Sequence, residues 1–141
     1  PRMADTVIDV GAPDATLRVR DALARGEVVG MLGDRSDGSD RTVRVPFLGA
    51  EAEFPLGPLR VASVLRVPVI LFFGLYRGGR RYELHFELLA DSVAADRATR
   101  EAQLRVWVER YAGQLAHRAR SAPYNWFNFY DFWQDAGVAA R

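Results

Sequence analysis

An acidic and a basic side chain stand together at the end of an apolar run, where Val28-Val29-Gly30-Met31-Leu32-Gly33 leads straight into Asp34-Arg35. A carboxylate beside a guanidinium can hold a phosphate-bearing ligand through the planar fork of the arginine, or orient a reacting group through the acid. In open α/β sheets, ligands collect beyond the carboxyl ends of the strands, which is where this pair falls if Val28 to Leu32 is a strand. Taken by residue type alone, the stretch from Asp34 to Arg41 also has the composition of a solvated turn. A calcium loop fits poorly, because Gly38 stands fifth from Asp34 rather than sixth and no Glu closes the motif.

Phe47, Gly49, Phe54, Gly57 and Arg60 form a second constellation. Gly57-Pro58 opens a helix whose free backbone N–H groups could face a phosphate or a developing oxyanion, with Arg60 adding positive charge within a turn. Gly57 serves a tight approach to the helix equally well. The third constellation is the aromatic stretch from Pro123 to Trp133. On a helix, Trp126, Phe129, Tyr130 and Trp133 share one face while Phe127 and Phe132 point elsewhere. Core packing, a channel for a hydrocarbon chain, and the headgroup level of a bilayer remain three open uses for it.

The two histidines offer less. His85 lies between Glu83 and Glu87 on the polar face of an alternating strand, where a solvent-facing side chain is expected and three metal ligands do not converge. His117, beside Arg118 and Arg120, reads as a cationic helix terminus. No metal site is expected.

The elements that must hold these groups follow from pattern. Thr6 to Val10 is β-prone, and Asp14 is placed to cap a helix that ends at Gly26. Val28 to Leu32 has the unbroken apolar character of a strand buried on both faces of a mainly parallel sheet. Thr42 to Phe47 alternates, with Val43 and Val45 inward. Pro58 starts a helix carrying Leu59, Ala62 and Leu65 that Pro68 ends, and Val69 to Tyr76 is a second buried strand. Gly78-Gly79 turns the chain into a strand whose Tyr82, Leu84, Phe86 and Leu88 face the core and whose other face is wet. The longest helix runs from about Arg97 to Arg118 with Leu104, Trp107, Val108, Tyr111 and Leu115 as its apolar stripe, and a last short helix holds the aromatic cluster. This order predicts a layered α/β domain with a mixed, mainly parallel central sheet.

The spacing of Gly33-Asp34-Arg35-Ser36-Asp37-Gly38, Val45-Pro46-Phe47-Leu48-Gly49 and Phe54-Pro55-Leu56-Gly57-Pro58, followed by an apolar strand opening at Pro68, resembles the downstream half of the bacterial lysophospholipid and lipid A acyltransferase family. The likeness covers about residues 14 to 133. It implies transfer of a fatty acyl group from an acyl carrier protein or coenzyme A thioester to a hydroxyl of a lipid or glycolipid, without a cofactor. Asp34 and Arg35 would then support the acceptor, and Phe47, Gly57 and Arg60 would border the cleft. Trp126 and Phe129 would meet acyl chain or membrane, and the protein would sit at the cytoplasmic face of the inner membrane or in the cytoplasm. No nucleic-acid partner is expected. The family's catalytic His-x-x-x-x-Asp or Glu is missing, since Ala90 stands five residues after His85 and Ala122 five after His117. Residues 1–141 are therefore expected to be the carboxyl-terminal part of one acyltransferase domain, with an aromatic tail at 123–134 and the base upstream. The alternative is a non-catalytic lipid- or protein-binding module on the same scaffold.

Composition sets limits beside this. With 141 residues and 49% hydrophobic content the chain can bury the core of one domain. All 19 basic residues are arginine, so no lysine Schiff base can form and every cation is a guanidinium suited to phosphate or carboxylate. The absence of Cys removes disulfides, thiolate nucleophiles and Cys-ligated metals. No secretory leader is readable at the start of the sequence. The longest apolar run, Val67 to Tyr76, is half the roughly 20 residues a spanning helix needs.

Overall fold

The computed structural model describes residues 7–9, 12–35, 41–93, 96, 98–129 and 131–133. Helix α1 (Ala15–Ala24) follows Asp14, which makes no side-chain cap bond, and buries Val19 and Ala22. It stops as expected before Gly26, which takes a φ of 79°. Of the β-prone run Thr6 to Val10, the two ends lie outside the described residues, and 7–9 form no strand. Residues 36–40, Arg97 and Tyr130 also lie outside them.

Strands β1 (Thr42–Phe47) and β2 (Ala50–Pro55) pair antiparallel with Val45 opposite Ala52 and Val43 opposite Phe54. Their two-residue turn has φ of 52° at Leu48 and 102° at Gly49, the left-handed pair that matches the twist of a tight hairpin. Leu48 tolerates this because its side chain packs on the core. The alternation of β1 places Val45 and Phe47 inside at 0% and 1% exposure, with Ala52 and Phe54 beside them from β2. The sequence pattern gave no sign of β2, whose Glu51 and Glu53 mask a short strand. Helix α2 (Gly57–Leu65) buries Leu59 and Ala62 and ends at Arg66 in the left-handed region, just before Pro68.

Strands β3 (Val69–Tyr76) and β4 (Tyr82–Ala90) form a second antiparallel pair. Among the described residues there are two two-stranded sheets, both antiparallel. The chain is thus mixed helix and strand, as an α/β reading requires, but the mainly parallel sheet is corrected. Val28 to Leu32 forms no strand, and Val28 is 96% exposed. A parallel strand needs a neighbour to accept its ladder bonds, and no strand pairs with this run among the described residues.

The polarity of the second hairpin is opposite to expectation. Ile70, Phe72, Tyr76, Tyr82, Leu84, Phe86 and Leu88 are exposed, and Phe72–Phe86 and Tyr76–Tyr82 meet ring to ring at 5.1 and 5.4 Å on that outer face. Leu71, Phe73 and Leu75 lie on the inner face, each paired in register with Glu87, His85 or Glu83. Here α3 (Arg100–Ser121) answers the acids: Arg118 Nη2 lies 3.8 Å from Glu87 and its guanidinium sits over the Phe73 ring. Alternation thus separates the two faces correctly without saying which is wet. His85 is accordingly half-buried, with Nε2 2.9 Å from Glu83 Oε1, rather than solvent-facing.

The core lies between the β1–β2 hairpin and α3, whose Leu104, Val108, Ala112, Leu115 and Ala116 form the buried stripe. The aromatic tail closes it without the expected helix. A single turn at Pro123–Asn125 leads into irregular chain. That path lets Trp126 and Phe132 both reach Phe47, at ring distances of 5.3 and 5.2 Å.

Candidate functional site

Asp34 and Arg35 leave the irregular segment beside the middle of α3. Gly33 eases the approach: a Cβ there would lie 3.0 Å from ring carbons of Tyr111, so a side chain would require that ring to shift by a few tenths of an ångström. Asp34 is shielded, with its side chain 16% exposed, while Arg35 is half in solvent at 49%. Arg35 Nη2 donates to the Phe127 carbonyl at 3.1 Å, and its Nε is 3.9 Å from Asp34 Oδ2. The loop is thereby tied to the aromatic tail, and two edges of the site are fixed by one guanidinium.

Tyr111 belongs to this site. Burial pushes its phenol well above the ordinary value, the Asp34 charge adds to the rise, and Arg35 opposes it. The hydroxyl therefore remains protonated and can donate a hydrogen bond where the carboxylate can only accept. On the sequence Tyr111 is one member of an apolar stripe. Its signal was the hydroxyl, which a buried stripe must satisfy somewhere.

The remaining sequence candidates are dispersed. Phe47 is a core residue, 1% exposed, and its carbonyl accepts from Trp133 Nε1 at 3.3 Å. Trp126 packs against it, while Phe129 is 89% exposed. Gly57 opens α2 as expected, but Arg60 lines a cleft with Arg100 at the start of α3. Eleven residues of helix separate Arg100 from Tyr111, about 16 Å at 1.5 Å per residue. The structure thus brings Asp34 and Arg35 together with Tyr111 and Phe127, and leaves Arg60 at another place. Among the described residues no cluster of three or more His, Cys, Asp or Glu could hold a metal ion, and no helix is long and apolar enough to cross a membrane.

The family of bacterial lipid A biosynthesis acyltransferases matches residues 13–134. The match takes in α1, the Asp34–Arg35 loop, both hairpins, α3 and the aromatic tail through Trp133. The chain belongs to this family. No curated protein and no solved structure matches it.

Proposed function

We propose that this chain forms the acceptor-side part of an enzyme that moves a fatty acyl group from an acyl carrier protein or coenzyme A thioester to a hydroxyl of a lipid or glycolipid. The observation that carries the reading is the Asp34–Arg35 pair, held against Tyr111 and Phe127 within a family match that spans both hairpins. In the reaction a base takes the acceptor hydroxyl proton and the oxygen attacks the thioester carbonyl. The C–O bond forms as the C–S bond breaks, and the departing thiolate takes up a proton.

The proton-abstracting group is assigned to a His-x-x-x-x-Asp or Glu outside residues 1–141. Within the chain, Arg35 offers free N–H donors to a phosphate or carboxyl oxygen of the acceptor, Asp34 accepts from a sugar or glycerol hydroxyl, and Tyr111 donates to a neighbouring oxygen. Peripheral contact with the cytoplasmic face of the inner membrane fits the exposed Phe127 and Phe129 at the tail.

The test compares acyl transfer by the protein that carries the His motif, with and without Asp34→Asn and Arg35→Gln. Each is expected to lower kcat/KM by about tenfold to a hundredfold, the worth of one charge-assisted hydrogen bond, and residues 1–141 alone are expected to transfer nothing. Activity undiminished by both substitutions would remove the pair from the site. Acyl transfer by residues 1–141 alone would overturn the assignment of the base.

A further inference from the structure

The outer face of the β3–β4 hairpin is one continuous apolar surface. All four cross-strand rows on it, from Ile70 opposite Leu88 at one end to Tyr76 opposite Tyr82 at the other, lack a charged side chain. Its seven large side chains are open by between 43% and 68%. With about 200 Å² to each such side chain, they expose on the order of 800 Å², the share that one partner brings to an interface of standard size.

Gly74 stands in the middle of this face, opposite Leu84. Nothing among the described residues requires a glycine there: its φ is not positive, and an added Cβ would meet only Leu84, at an ordinary 3.7 Å. A glycine weakens the interior of a strand and marks a place where another backbone comes close. That backbone lies outside the described residues. Fluid lipid conforms to side chains and needs no such notch.

The same face ends at the candidate site. Asn125 accepts from the Tyr76 N–H on the edge of β3 away from β4, and two residues on, the Phe127 carbonyl accepts from Arg35. Among the described residues β3 and β4 pair with no third strand.

We propose that the outer face of β3–β4 seats the segment that carries the His-x-x-x-x-Asp or Glu, with its backbone passing over Gly74. The inference rests on the acyl-transfer reading, in which that segment lies outside residues 1–141. A base must come within hydrogen-bond reach of the acceptor hydroxyl, and a segment anchored on this face is held beside the tail that fixes Arg35. Removal of the apolar face from water drives the seating.

The chain has no cysteine, so Leu84→Cys places a single thiol on the face of residues 1–141. Its reaction with N-ethylmaleimide, read by peptide mass, reports access. In the protein that carries the His motif the thiol is expected to react about tenfold or more slowly than in residues 1–141, at any protein concentration, and equally fast once both are unfolded in urea. Gly74→Leu is expected to restore fast labelling in the longer protein while leaving residues 1–141 folded. Comparison of native and urea rates within the longer protein keeps the test decisive if residues 1–141 do not fold alone. A thiol equally open in the native longer protein, or protection that Gly74→Leu leaves unmoved, would overturn the proposal. So would protection present in residues 1–141 at high concentration and lost on dilution, which assigns the face to a second copy. Protection that appears only with vesicles containing phosphatidylglycerol assigns the face to lipid and overturns the proposal equally. Acyl transfer by a longer protein whose thiol stays open removes this inference and leaves the acyl-transfer reading standing; a protected thiol without transfer does the reverse.

Discussion

Tyr111 joins the chemistry of the candidate site to the packing of the core. Its ring closes on Gly33 from one side and on Phe54 from another, the latter edge to face at 5.9 Å. Because burial and then Asp34 raise its pKa, the folded chain favours the neutral phenol. The stabilising contribution is fully present below the ordinary tyrosine value of 10.0 and is lost as pH rises through the higher folded value. Spectrophotometric titration should therefore find one phenol ionising late, near or within alkaline unfolding. Tyr111→Phe should remove that late step and make stability less sensitive to pH above about 10. An unchanged titration would place the slow phenol elsewhere. At this scale the adjacency of Asp34 and Arg35 was legible because they are neighbours in sequence, although the strand end expected to carry them does not form. Their contact with Phe127 was not, since Arg35 and Phe127 are brought together only by the tertiary fold.

Among the elements, the β3–β4 hairpin separates what pattern can give from what it cannot. Gly78-Gly79 and the alternation after it located the turn and β4, and the apolar run after Pro68 located β3. The inner face was misassigned because hydrophobicity in a strand reports a difference between faces, and Arg118 on α3 makes the acidic face the one that is covered. The two orientations differ in what a substitution costs. Leu71 is 8% exposed and Phe86 is 68% exposed. Leu71→Ala is accordingly expected to destabilise by about 2–5 kcal/mol through lost burial and a cavity. Phe86→Thr, which removes one cross-strand ring pair with Phe72, is expected to cost about 1 kcal/mol or less. Denaturant unfolding of the two variants decides between the orientations, and a larger loss for Phe86→Thr would restore the one read from the sequence. The Val28 to Leu32 run failed for a related reason: its apolar character described a strand with neighbours on both sides, and pairing is a property of those neighbours.

Across the whole molecule, the three long helices and the strands β1, β3 and β4 were readable while β2 and the sheet were not, because strand pairing and direction depend on contacts far apart in sequence. The outcome is an uneven distribution of burial. Val45, Phe47, Phe54, Leu104 and Val108, all within 1% exposure, belong to β1, β2 and α3, whereas seven large apolar side chains of β3 and β4 lie open on the outer face. An exposed apolar surface of that extent is unusual for a monomer, and a hairpin supported on one side alone should open more readily than a core element. Hydrogen exchange should therefore find the amides of β1 and β2 protected up to the free energy of global unfolding, and those of β3 and β4 exchanging through smaller openings. The difference should persist on dilution, since it follows from the packing of the single chain. Equal protection of the two hairpins at high concentration that disappears on dilution would mean instead that association covers the outer face. Equal protection at every concentration would contradict the distribution of burial described above.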